Sequence, residues 1–269
     1  MLDSEHARLV AFDANRVLAG IINRGAADVP LDDRRAREAL NWAVDRHRFA
    51  REGLAGYATP LYGLTVPWAS GHPAGAEPRA QDAARARTLM NEAGWPSGRA
   101  LRIAAPGAFA GVAEMVAADV RESLGIEAEV IVVPPEEIPA GTRALIEKKL
   151  DLPWDILLHA WGDLSSEMPP AAVHREFFGS DGAFRAGPVD EGFDRLFDEL
   201  RVELDTKRAV ALAEQIDAYC HDESLALFLC APQALYAVNR HVTFGAYRTT
   251  FELAETEVAE GHWSRRAPR

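Results

Sequence analysis

The sequence predicts an α/β protein whose sheet contains parallel neighbours. Between residues 101 and 161, short apolar runs alternate with helical patterns of ten to fifteen residues, the order produced by strand-helix-strand units. Hydrophobic residues make up 48% and charged residues 26% of the 269, a globular composition with enough apolar mass for a large core. The longest apolar stretches, "AEVIVVPP" and "SLALFLCAP", are too short to span a bilayer and are bounded as buried strands are.

The elements follow in order. "RVLAGIIN" (16–23) is a continuous apolar run and reads as a buried strand. "PLDDRRAREALNWAVDRHRF" (30–49) reads as one amphipathic helix capped by Asp32 or Asp33, with basic residues near its end. Ala36, Ala39, Leu40, Ala43, Val44 and His47 form the packing face, and Arg35, Glu38, Asn41, Asp45 and Arg46 the solvent face. Its arginines are expected to pair with surface carboxylates. Residues 56–78, rich in Gly and Pro and without periodicity, form a long loop of the kind that tends to be functional. Asp82 caps a helix through Leu89 and Met90 that stops at Gly94, with Pro96 beyond.

A strand at 101–105 comes next, then a helix carrying Val112, Val116 and Val120 and stopped by Gly125. A strand at 128–133, a helix around Leu145 and a strand at 155–161 complete the alternating region. Two consecutive helices follow, one with Phe193, Leu196, Phe197, Leu200 and Leu204 inward, the other capped at Asp205 or Thr206 with Val210, Ala213, Ile216 and Cys220 inward. "SLALFLC", "ALYAVN" and "VTFGAY" then read as strands.

Charge and motifs exclude several functions. With 29 basic and 41 acidic residues the formal charge is −12, which repels a phosphate backbone or an anionic membrane surface, so no nucleic-acid partner is expected. The start "MLDSEHARLV" lacks the basic and apolar regions of a secretory signal. Cys220 and Cys230 lack C-x-x-C spacing; two buried thiols are expected, with one disulfide as the alternative. No phosphate loop, G-x-G-x-x-G, G-x-S-x-G or H-E-x-x-H occurs, and no nucleophile or acid/base pair is assembled, so neither catalysis nor a cofactor is expected. His159 precedes Asp163 by four residues, but on a strand running into a loop that spacing does not converge two ligands on a metal. His221, Asp222 and Glu223 read as a solvated helix end.

"HAWGDLSSEMPP" (159–170) is the candidate site. A strand that ends in an aromatic, a glycine and a carboxylate and breaks into a polar loop presents those residues to a ligand at the strand ends of an open α/β sheet. Asp163 would hold a cationic group and Trp161 would wall the site. Alternatively, Trp161 is core and Asp163 caps the following helix.

These segments resemble family 5 extracellular solute-binding proteins of ABC transporters, the dipeptide, oligopeptide and nickel binders. "PLDDRRAREALNWAVDR" resembles the family's P-x-x-D-x-R-V-R-x-A-x-x-x-A-I-D-R segment, and "GYATPLYGLTVP" the loop after it. "AARARTLMNEAGWPSG", "AADVRESLGIEAEV", "WDILLHAWGD" and the long stretch from Val189 to Leu229 match further segments in the same order. The resemblance implies a periplasmic-binding-protein-like lobe II with a mixed sheet flanked by helices over 1–235, and a segment over 236–269 that returns to a lobe I. It implies capture of a peptide or related solute for membrane permease subunits, in the periplasm or outside the cell. Nickel chelates, opines and oligosaccharides are alternative ligands. A ligand-sensing domain of a transcriptional regulator is an alternative role, although no helix-turn-helix is present. By the same resemblance Asp163 pairs with a peptide's α-amino group beside Trp161. The loop here is one residue shorter before the aspartate than the family's usual W-x-x-D.

Overall fold

Side-chain alternation along one central strand sets the layers. In the computed structural model, which describes residues 4–149, 151–162, 171–247 and 251–265, strand β2 (Arg16–Ile22) sends Leu18 and Ile22 into one core and Val17, Ala19 and Ile21 into the other. Period-two alternation with both faces apolar requires cover on both sides, and helices supply it. β1 (Ala7–Phe12) precedes β2; α1 (Arg34–Ala43), α2 (Arg46–Arg48), a π-helical turn at Phe49–Gly53, β3 (Ala58–Pro60), α3 (Ala83–Ala93), β4 (Leu101–Pro106) and α4 (Ala110–Leu124) follow it. Then come β5 (Ala128–Val133), α5 (Ile138–Ile146), β6 (Ile156–Gly162), α6 (Ala172–Phe178), α7 (Glu191–Leu200) and α8 (Thr206–Asp222). The chain closes with β7 (Ala226–Pro232), β8 (Ala234–Asn239), β9 (Val242–Ala246) and β10 (Phe251–Val258).

Six strands form one mixed sheet in the order β3-β7-β2-β6-β4-β5. β4 runs parallel to β5 and β6, while β2 runs antiparallel to β6 and β7. Helices α1, α3 and α4 cover one face, and α5 to α8 cover the other. The expected α/β class and mixed, helix-flanked sheet are therefore the observed ones. β1 pairs with β8 and β9 with β10 in two separate ribbons. β8 and β9 are strands expected from sequence, whereas β1 and β10 have no counterpart among the expected elements, and α6 was anticipated only as a helix that Asp163 would cap.

The helix expected over 30–49 is broken. Asp33 caps α1 as expected, accepting from the Arg35 amide at 2.8 Å, but Val44 is extended (φ −103°, ψ 136°) and ends the helix. Two assignments on its solvent face are corrected: Asn41 and Arg46 are buried, and His47, placed on the packing face, is exposed. Past the break Arg46 folds back onto the end of α1, donating to the Asn41 carbonyl at 2.8 Å and its side-chain oxygen at 2.7 Å, and to the Arg79 carbonyl at 3.1 Å. Helix-end carbonyls need such donors. Burial pushes the Arg46 guanidinium down to about 9. Arg37 is used the same way, donating to the carbonyls of Leu31, Asp32, Glu223 and Ser224. Arg34 and Arg35 do pair with carboxylates, Glu223 at 3.3 Å and Asp33 at 2.6 Å.

Leu204, expected inward on α7, lies beyond the end of that helix and is 95% exposed. Gly94 and Gly125 stop α3 and α4 as expected, each in the left-handed region (φ 76° and 68°) where a side chain would be strained. Cys220 and Cys230 are buried free thiols, the first of the two expected outcomes.

Asp155, fully buried just before β6, ties three strands together. Its carboxylate accepts from Arg99 at 2.9 and 3.0 Å and from the Arg102 side chain at 3.0 Å and amide at 2.7 Å, while its backbone bonds Arg102 and Asn23. Asp155→Ala removes one side of a buried, charge-assisted cluster and is expected to cost about 3 kcal/mol or more, read by urea unfolding. A loss below about 1 kcal/mol, the value of an exposed pair, would contradict this role.

His221 supplies a pH dependence. Its Nδ1–H donates to the Tyr62 carbonyl at 2.9 Å and its ring stacks on Tyr62 at 3.8 Å, 9° from parallel. Burial, then the nearby Arg79 charge, pushes it down from 6.5 to about 4. The unfolded chain therefore takes up this proton first, and the stability present above pH 6.5 is lost as pH falls toward about 4. Melting curves of the wild type and His221→Gln should differ most above pH 6.5 and converge across that window. A pH-independent difference would refute the assignment.

Candidate functional site

The parallel strands β4, β5 and β6 end together at Pro106, Val133 and Gly162. Ligands of open α/β sheets bind at such carboxyl ends. Arg16, the first residue of antiparallel β2, sits opposite Gly162 at the same end and is exposed.

A partly enclosed cavity of about 80 Å³ lies here on the α5 side of the sheet. Leu157, His159 and Trp161 share one face of β6 and line it from the strand. Val133 and Pro106 contribute from the neighbouring strand ends, Ile138, Thr142 and Leu145 from α5, and Phe184 from the segment after α6. Trp161, one of the two residues the sequence singled out, is half-buried; its ring meets Phe177 edge-on at 4.6 Å, Phe184 at 4.8 Å and His159 at 4.6 Å. The alternatives open at the sequence level are thus combined, since Trp161 packs on one side and lines the cavity on the other. Its indole Nε1 is buried and has no hydrogen-bond partner among the described residues.

His159 Nδ1 lies 2.7 Å from the Ala160 carbonyl, which can only accept, so Nδ1 carries a proton and donates it there. The cavity thus combines mostly apolar walls with the Thr142 hydroxyl and the His159 imidazole. Glu137 stands exposed at its mouth. Among the described residues no group of three or more His, Cys, Asp or Glu is placed to hold a metal.

Asp163, the other predicted site residue, lies outside the described residues. Its flanks are described. Gly162 belongs to the β6 ladder. On the far side, His174 of α6 donates from Nε2 to Asp217 Oδ1 of α8 at 2.6 Å, both side chains being buried. The same oxygen accepts the Leu64 and Thr65 amides at 2.9 and 3.2 Å, which fixes the long loop expected over 56–78. A Cβ at Gly63 would stand 2.4 Å from that oxygen, so only glycine fits there. Trp68 of the same loop donates to Asn15 Oδ1 at 3.2 Å and holds the loop against the turn between β1 and β2.

The sequence reading missed His159 as a wall, Phe177 and Phe184 as the aromatic backing, and α5 as the lid of the cavity. One signal for the first was present: Leu157, His159 and Trp161 alternate at period two on a strand already expected.

Known proteins share the fold. The chain is 35% identical over 101 residues to the glutathione-binding protein GsiB of Salmonella typhi, an alignment covering 35% of this chain and 20% of that protein. The oligopeptide-binding protein AppA of Bacillus subtilis, solved with a nonapeptide, superposes with a TM-score of 0.78 at 17% identity, covering 96% of this chain and 53% of that one. NikA of Staphylococcus aureus, solved with Ni(L-His)2, gives a TM-score of 0.76 at 16% identity and coverages of 95% and 54%. The chain thus spans about half the length of these solved structures and matches a smaller part of GsiB. Residues 6–183 match the model of bacterial extracellular solute-binding proteins, family 5 Middle, and the chain belongs to that family.

Proposed function

We propose that the chain is one lobe of the substrate-binding component of an ABC importer, capturing a peptide or related small solute for delivery to membrane permease subunits outside the cytoplasm. The family match over residues 6–183 carries this reading. The cavity at the carboxyl ends of β4 to β6 supports it, because it combines apolar walls with a few polar groups, as small-molecule sites do. Peptide is the leading ligand, and an oligopeptide-binding protein shares the fold. The family and fold are those of substrate-binding transport proteins, and we assign the chain no catalytic step. The division into a lobe over 1–235 and a return segment over 236–269 belongs to the same proposal. The β1–β8 ribbon, which leaves the ligand end of the sheet, is the connection that would lead to the second lobe.

Asp163 is proposed to counter the solute's amino group. In the 269-residue chain, Asp163→Ala should weaken a free-amine dipeptide by about tenfold or more and leave its N-acetylated counterpart almost unchanged. Equal losses for both ligands would remove Asp163 from the site.

The isolated chain should unfold cooperatively yet bind peptides weakly, because a small-molecule site normally buries about 70–90% of its ligand and one lobe provides one wall. Calorimetry against a di- and tripeptide library tests the proposal. Binding weaker than about 10 μM fits. Nanomolar binding would show that the site is complete within this chain, and binding of nickel-histidine but of no peptide would replace the ligand class.

A further inference from the structure

We propose that the cavity beside Trp161 receives one small, uncharged aliphatic side chain of the solute, of valine to leucine size. This rests on the reading of the chain as a solute-binding lobe and narrows it to a side-chain class.

Size is the first argument. A cavity of about 150 Å³ in a protein core holds a benzene ring. The one here is about 80 Å³, which suits a branched chain of three or four carbons and excludes an indole or phenol. Lining is the second. Val133, Ile138, Leu145, Leu157 and Phe184 present hydrocarbon, and a charged group placed among them would lose its hydration without a buried counter-charge, since Glu137 lies in water at the mouth. The preference is therefore for an aliphatic side chain over a charged or a large aromatic one.

The test reads the site directly. The Trp161 indole resonance in a ¹⁵N-labelled 269-residue chain is assigned by its loss in Trp161→Phe. The labelled chain is then titrated with the N-acetyl, N-methylamide derivatives of leucine, valine, glycine, lysine and tryptophan. The leucine and valine probes should shift this resonance saturably, with affinity at least about tenfold above the glycine, lysine and tryptophan probes. Gly141→Leu provides the control. Gly141 borders the cavity from α5, where an added Cβ meets nothing within 4 Å, and leucine improves the helix, so the variant should stay folded, plug the cavity and abolish the shift.

A response to glycine or lysine equal to that for leucine, or unchanged leucine binding in folded Gly141→Leu, would overturn the inference. If library peptides bind the chain without moving the Trp161 resonance, the cavity assignment falls and the peptide-binding reading stands. If the leucine probe binds selectively and no library peptide does, the cavity assignment stands and the peptide-binding reading falls.

Discussion

The register of β6 is the constraint on which the site depends. β6 is the seam of the sheet, with a parallel neighbour on one side and an antiparallel neighbour on the other. A slip of one residue would exchange its faces, sending Leu157, His159 and Trp161 toward α4 and Ile156 and Leu158 toward the cavity. Asp155 opposes that slip at the closed end, since its carboxylate and backbone engage Arg99, Arg102 and Asn23 together. The chemistry at the open end is therefore set by an ionic cluster at the other end of the same strand. Gly20 adds a steric pin, because any Cβ there would meet the Ile156 side chain at 2.6 Å.

A second buried carboxylate organises what surrounds the open end. Asp217 gathers the loop through Leu64 and Thr65 and the helix through His174, three pieces of chain that share no backbone ladder. Long loops are held this way when they must keep a shape without regular structure. The buried arginines do the complementary task. Arg37 and Arg46 spend their donors on carbonyl oxygens at helix ends and turns, so the backbone there is satisfied inside the protein where no strand could reach it.

How much was legible in the sequence follows from the range of the forces involved. β2, β4, β5, β6 and β7 are predominantly apolar runs, and α3 and α4 end at glycines whose left-handed conformation is a local property, so both could be read from neighbours in the chain. β1 could not. Its side chains are half-exposed, and its partner lies at the far end of the sequence, Ala7 opposite Asn239. The burial of Asn41 and Arg46 was missed for a related reason. Helical periodicity assigns polar residues to water and has no means to register carbonyl groups waiting for donors. At the site, Trp161 was legible because strand-end position is a sequence property. The cavity beside it was not, because its walls come from β4, β5, α5 and Phe184, brought together only by the fold.

The β1–β8 ribbon has a mechanical consequence. Its ladder runs from Ala7 opposite Asn239 to Phe12 opposite Ala234, and both strands join the main sheet at the ligand end, one leading to β2 and the other leaving β7. Tension applied along such a ribbon is shared by two taut backbones and stretches neither, whereas a couple applied across its thin dimension meets only the torsional softness of extended chain. It behaves as a leaf spring: stiff in length, compliant in flexure, with its clamped end at the rim of the cavity. A bend in this ribbon would therefore reorient whatever lies beyond Ala7 and Asn239 without any change in the pairing of the six-stranded sheet.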